Sequence, residues 1–349
     1  KKNLINYCLN LQSPNPMLLM LHGFTSKCTY LTRVVPNITD FFFAPLEAII
    51  RQIFLPSVTG QSSLSDSERE LLALPVRLGG LGIINPTKLC SLQYNASLNI
   101  TQSLCDLILK QSTTYPLSCT LAQQEAKKTS SADHSLAEKD SHTHLLSTFP
   151  PRLRRILEAS SEKGSSSWLT ALPLTSHGFA LHKGDFRDAL CLRFGWQPSS
   201  LPLMCVCGKP FTVEHALSCT CGGYPSIRHN ELRDITATLL TEVSNNVGIE
   251  PVLQKLSGEH LTQKSSISSD DARLDIVAEN FWGHNRQKTY FDVRVFNPFC
   301  ATLSKVPLPQ CCRRAELEKK RAYEQRIREI EFGSFSPLVF STTGGLGST

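Results

Sequence analysis

The stretch CVCGKPFTVEHALSCTCGGYPSIRHN, residues 205–230, decides how this chain reads. It holds Cys205, Cys207, His215 and Cys219, separated by one, seven and three positions. Four soft or borderline ligands in so short a segment suit tetrahedral Zn²⁺. Four protein ligands close the site, so its role is structural: no position is left for a substrate water. Gly208 permits a tight turn after the second ligand. Two alternatives stand beside this reading. Cys221 can replace Cys219 as the fourth ligand, and the thiols can simply be buried, because Cys-x-Cys is a rarer zinc spacing than Cys-x-x-Cys. Directly after the cluster, Ser226 can cap a helix running through Arg228, Leu232, Ile235, Leu239 and Val243. Arg228 and His229 at its start favour a phosphate, since a helix N-terminus already attracts anions. An ordinary solvated helix start fits the same two residues.

Further along come Arg273-Leu274-Asp275 and Asp292-Val293-Arg294. Tyr290, Asp292, Arg294 and Phe296 alternate with Phe291, Val293 and Val295, so Asp292 and Arg294 share one face of a strand. The preceding strand carries Leu274, Ile276 and Ala278 against Asp275 and Val277. Gly283-His284-Asn285 reads as the turn between them. A carboxylate flanked by strand apolars is costly to bury unpaired. Either Arg294 or Arg273 neutralises it, or a divalent cation does. A hairpin closed near residue 285 would set Asp292 nearer Glu279 than Asp275. The last helix, roughly 313–331, carries Leu317, Tyr323, Ile327 and Ile330 as a narrow apolar stripe. Lys319, Lys320 and Arg321 on it can reach phosphates, and a solvated face accounts for them equally.

Outward from this core, the chain of 349 residues is long enough for two or three cores. Its net charge of +6 permits a polyanionic partner without demanding one. Thirteen cysteines, an odd count, point to a reducing compartment rather than a disulfide scaffold. The most apolar stretch, 41–55, is broken by Glu47 and Arg51 and does not read as a membrane span. The chain shows no signal peptide and no initiator methionine, as expected of the end of a longer polypeptide. The first hundred residues read as helical. Leu46, Ile49, Ile50, Ile53 and Phe54 repeat at helical spacing after Pro45, and Pro56 is expected to stop the run. Ser65 with Glu68, and Ser67 with Glu70, are possible capping boxes. Arg77-Leu78-Gly79-Gly80-Leu81-Gly82-Ile83 lacks the Gly-Lys-Ser/Thr of a phosphate loop and reads as a tight turn. The Ser-, Thr- and Lys-rich segment 112–150 has few large apolar side chains and is expected to be a flexible linker. A helical connector, 151–202, leads to the knuckle. The expected class is α+β and multidomain: a helical N-terminal part, a zinc knuckle and an α/β C-terminal domain.

With these residues in view, the chain resembles the C-terminal part of non-LTR retrotransposon polyproteins that carry a restriction-enzyme-like endonuclease. Leu74-Pro75-Val76-Arg77-Leu78-Gly79-Gly80-Leu81-Gly82-Ile83 looks like the segment after the reverse-transcriptase palm. Cys205, Cys207, His215 and Cys219 look like the family's Cys-Cys-His-Cys knuckle. Arg228 and His229 resemble the Arg-His pair that precedes the nuclease core, and Asp292 the second core acid. Lys319-Lys320-Arg321-Ala322-Tyr323 is similar to a downstream Lys-and-Tyr motif. The stretch from Phe332 to Phe340, ending Gly344-Gly345-Leu346-Gly347, is similar to transposon-derived sequences.

The resemblance implies a thumb-like region over 1–111, a knuckle over 203–224 and a restriction-endonuclease-like domain over 225–349. It implies Mg²⁺-dependent nicking of DNA, so that the freed 3′ hydroxyl primes reverse transcription of an element RNA in the nucleus, after synthesis in the cytoplasm. Asp275 and Asp292 would hold Mg²⁺, with Arg294, Lys319, Lys320 and Tyr323 in catalytic roles. Arg228, His229, Arg273 and Arg321 would contact nucleic acid. Leu274 stands where the family has Pro, and Asp-Val-Arg where it has Glu-x-Lys. A copy that binds nucleic acid without cutting it is the alternative. The polymerase aspartate pair is absent, so no DNA synthesis is expected of this chain.

Overall fold

The computed structural model describes residues 25–36, 42–172, 174, 176, 178, 180–256, 271–282 and 287–347. The expected turn at Gly283-His284-Asn285 lies outside them. The protein is α+β, as expected, and divides into two compact units. One comprises residues 1–162 with 166–199, the other 163–165 with 200–349. The connector expected over 151–202 therefore belongs almost wholly to the first unit.

That unit is helical: α1 (Thr25–Val34), α2 (Ala44–Ile49), a π turn (Ile50–Phe54), α3 (Leu55–Thr59), α4 (Asp66–Ala73), α5 (Pro86–Leu109), α6 (Leu117–Thr148), α7 (Pro151–Ser160), α8 (Ser167–Thr170) and α9 (Lys183–Phe194). Pro56 does not stop the second helical run. The wider π turn lies just before it, and the run ends instead at Gly60, whose φ of 76° supplies the left-handed cap. The capping box at Ser65 and Glu68 is formed, with both reciprocal hydrogen bonds present. The glycine-rich segment is the expected tight turn. A Cβ on Gly80 would stand 2.0 Å from the carbonyl oxygen of Leu74, so only glycine fits. Phe54, Leu55, Leu72, Leu157, Leu169, Leu190 and Phe194 form the core beside this turn.

The linker expected over 112–150 is a helix instead. α6 buries only Leu145. The burial argument holds for tertiary packing, but it does not forbid a helix. Residues 117–148 contain neither Gly nor Pro, and Ala, Gln, Glu and Lys are good helix formers. Ion pairs of Glu138 with His134 (3.3 Å) and Arg77 add local support.

The second unit holds α10 (Val213–Ala216), α11 (Tyr224–Thr241), β1 (Asn245–Ile249), β2 (Ile276–Glu279), β3 (Lys288–Phe296), α12 (Leu308–Glu329) and β4 (Ser334–Ser341). Strand order is β1-β2-β3-β4. The first two pairings are antiparallel, while β3 and β4 run parallel across the α12 crossover. Phe291, Ile276 and Ala278 pack with Ala237 and Leu240 of α11. Tyr290 and Leu274 pack with Ile327 of α12. Phe291 and Tyr290 are neighbours on β3, so the two helices cover opposite faces of the sheet.

Two sequence expectations are displaced here. α11 begins at Tyr224, capped by Gly223 rather than Ser226. Its expected inner face is outward: Ile235, Leu239 and Val243 are more than half exposed, and the sheet instead meets Ala237 and Leu240. On α12, Leu317 is half exposed. The small Cys311 and Ala315 pack against Phe296 and Val339 instead, letting the helix lie close to the strands.

The register settles where the acids stand. Ile276 faces Phe291 and Glu279 faces Lys288. Carried one residue beyond the ladder, the same register sets Asp275 opposite Asp292. Glu279 takes Lys288, not Asp292, as its neighbour.

Candidate functional site: a metal knuckle beside an acid pair

The knuckle is built by local backbone bonds. The Cys205 N–H donates to Lys209 O at 2.8 Å, and the Gly208 N–H to Cys205 O at 2.9 Å. Gly208 takes φ 79°, so the turn between the first two ligands and the rest needs a glycine. Thr212 caps α10, accepting from the His215 N–H at 3.1 Å, which fixes the third ligand. The Cys219 N–H donates to His215 O at 2.8 Å and fixes the fourth.

The ligand atoms of Cys205, Cys207, His215 and Cys219 all lie within 4.8 Å of one another. The Cys205 and Cys219 sulfurs are 3.8 Å apart. With Zn–S bonds of about 2.3 Å, a tetrahedral edge is about 3.8 Å. The quartet can therefore hold a metal ion and is compatible with zinc. Cys221 stands outside the quartet and is exposed, which leaves Cys219 as the fourth ligand.

The knuckle is tied to the sheet domain within the same unit. Asn297 Nδ2, just past β3, donates to Ser218 Oγ at 3.0 Å. Arg228 on the second turn of α11 reaches back to Leu217 O at 3.5 Å. Arg228 is thus turned toward the knuckle, and burial lowers its pKa. Its guanidinium meets a carbonyl there, because the helix starts at Tyr224, before Ser226.

The acids converge. Oδ2 of Asp275 accepts from the Val293 N–H at 2.6 Å and lies 3.2 Å from Nε2 of His229. That same nitrogen lies 3.1 Å from Val293 O. Asp292 is 5 % exposed, and its Oδ2 lies 2.6 Å from Nζ of Lys319. The Lys319 ammonium also sits 5.7 Å from the centre of the Tyr323 ring. Burial pushes the Asp292 carboxyl up to about 6; the Lys319 charge opposes this, and the Asp275 charge adds to it. Tyr323 is raised by burial and then by the Asp292 charge. His229 is raised first by its hydrogen bond to Asp275, against a lowering from burial.

Asp275, Asp292, Lys319 and Tyr323 therefore stand together, as expected from the sequence, and His229 joins them. The others stand apart. Arg273 Nη1 lies 3.9 Å from Glu250, which also pairs with Arg233, and the cation beside Asp292 is Lys319 rather than Arg273 or Arg294. Arg294 lies exposed on β3 opposite Val339, Arg321 is exposed, and Lys320 is half-buried. The role of His229 and the Val293 N–H left no signal in the sequence. Any residue supplies a backbone N–H, and the contact spans forty-six positions.

Among the described residues, no helix is long and apolar enough to cross a membrane. No protein-family model matches the chain, and no curated protein matches it.

Proposed function

We propose that the second unit is a Mg²⁺-dependent DNA endonuclease module of a retrotransposon-derived protein, with a structural zinc knuckle. The observation that carries this reading is the acid pair: the β2–β3 register, extended by one residue, sets Asp275 opposite Asp292, and each has an oxygen that accepts no hydrogen bond among the described residues, beside Lys319 and Tyr323. Two carboxylate oxygens suit Mg²⁺, which commonly keeps waters and phosphate oxygens in its remaining positions. Bound there, Mg²⁺ would supply an acidified water and charge neutralisation on the phosphate.

The residues of the chain do the rest. Asp275 and Asp292 hold the ion. Lys319 keeps Asp292 ionised at neutral pH and offers its charge to the oxyanion that develops at phosphorus. Tyr323 orients Lys319 through its ring face. Arg321 and Arg294, exposed at the surface, are suited to backbone phosphates. The knuckle anchors the start of α11. In this reading the first unit is the thumb-like neighbour of a polymerase, the partners are target DNA and an element RNA, and the site of action is the nucleus.

A second reading has its own support. Lys319 already neutralises Asp292, and Leu274 and Asp-Val-Arg depart from the family pattern, all of which suits a copy that binds DNA without cutting it. Nicking of supercoiled plasmid separates the two. Wild-type protein with Mg²⁺ is expected to convert supercoiled to open-circular DNA, and Asp275→Ala and Asp292→Ala to lose at least a hundredfold in rate. Equal nicking by all three removes the site assignment, and a gel shift without nicking by wild type establishes the second reading.

A further inference from the structure

We propose that His229 is a positioning residue for Asp275 and not a phosphate ligand. It holds one carboxylate oxygen of Asp275 so that the other faces the cation. The inference rests on the nuclease reading for what is positioned, but its geometry stands independently.

Nε2 of His229 lies between two oxygens, Asp275 Oδ2 at 3.2 Å and Val293 O at 3.1 Å. A carbonyl oxygen only accepts, as does an ionised carboxylate. Nε2 therefore carries a hydrogen whether the ring is neutral or charged, and that hydrogen points inward. The Val293 N–H donates to the same Oδ2 at 2.6 Å. Two donors on one oxygen leave the carboxylate a single orientation. Oδ1 then accepts no hydrogen bond among the described residues. It is the oxygen left for a cation.

The other ring nitrogen does not rescue a phosphate role. Nδ1 lies 3.5 Å from Asn230 Oδ1, on the same helix turn. The ring is two-thirds covered. The charged group against it is Asp275, and Asp292, further off, is paired with Lys319; the carboxylate at 3.2 Å disfavours a phosphate there. Donors behind a metal-binding carboxylate fix its orientation, and their loss typically costs 10- to 100-fold in metal affinity or activity.

The test compares wild type, His229→Ala and His229→Gln, because the Gln amide offers an N–H at a similar reach. Mn²⁺ affinity is read by calorimetry, and affinity for a short duplex by anisotropy in EDTA across a range of salt. His229→Ala is expected to weaken Mn²⁺ about tenfold while leaving duplex affinity and its salt slope unchanged, and His229→Gln to restore Mn²⁺ to within a factor of about three. A duplex affinity that falls with a shallower salt slope would make His229 a phosphate ligand and overturn the proposal. So would unchanged Mn²⁺ affinity in His229→Ala, or failure of Gln to rescue at an unchanged melting temperature. If wild type binds no Mn²⁺, the nuclease reading fails by itself. The positioning is then decided by a metal-free crystal structure of His229→Ala. A changed Asp275 rotamer supports it, and an unchanged one overturns it.

Discussion

If the Cys205, Cys207, His215 and Cys219 quartet holds zinc as proposed, chelation is expected to unfold residues 203–224 and to loosen the start of α11. A structural zinc site contributes about 10–16 kcal/mol of apparent binding energy. That rivals the whole stability of an ordinary domain, about 5–15 kcal/mol. The knuckle has little else to hold it: Leu203, Met204 and Val206 are exposed, and its backbone bonds are local turns. Cys207→Ser and His215→Ala should each lose stoichiometric zinc. Cys221→Ser should retain it, since that thiol stands outside the quartet. The consequence travels. Ser218 and Leu217 are the groups through which the knuckle meets Asn297 and Arg228, and His229 is the next residue along α11. Hydrogen exchange after chelation is therefore expected to quicken at 213–230 and to spare β2 and β3. Zinc retained one-to-one in Cys207→Ser or His215→Ala, or unchanged exchange in the knuckle, would contradict the site.

The second large effect concerns Asp292 and pH in the absence of divalent cations. Its carboxyl is raised from the ordinary 3.8 to about 6, chiefly by burial. An acid whose folded pKa lies above its unfolded value binds protons more tightly when folded. Its contribution to stability is therefore greatest below about 3.8 and is lost as pH rises through about 6. At 1.36 kcal/mol per unit, the loss is about 3 kcal/mol. In EDTA, the difference in unfolding free energy between wild type and Asp292→Asn should change by that amount across this window and stay flat above it. The Asn variant carries a pH-independent cost from leaving Lys319 unpaired. Lys319→Met should deepen the wild-type loss, because the ammonium is the main group opposing the upward shift. Denaturant titrations at several pH values measure this. A wild-type minus variant difference that is flat from pH 4 to 7 would contradict the burial argument.

The physical origin of both effects explains how much could be read from the sequence. The Cys/His cluster is legible because ligand spacing is a local property and Gly208 marks the turn, whereas the short helix α10 that carries His215 is not read from the spacing. The acid pair was half legible. Strand alternation marked Asp275 and Asp292, but their juxtaposition depends on where the hairpin closes, and a shift of one or two residues at that turn moves every cross-strand partner. α6 was misread because low apolar content limits burial without limiting helix formation. The outward face of α11 was misread because its apolar residues repeat at helical spacing on the side the sheet does not use. β1 and β4 carry no comparable sequence signal: β1 has only Val247 and Ile249 as apolar side chains, and β4 pairs in parallel with β3, from which a whole helix separates it in the chain.

The central claim is that Asp275 and Asp292 together hold one divalent cation. Calorimetric titration of Mn²⁺ into zinc-loaded protein tests it most directly, with Asp275→Asn and Asp292→Asn beside the wild type. The account predicts one Mn²⁺ per wild-type chain, competed by Mg²⁺, and none in either variant. Wild-type stoichiometry surviving in both variants, or a wild-type chain that binds no Mn²⁺, would contradict it.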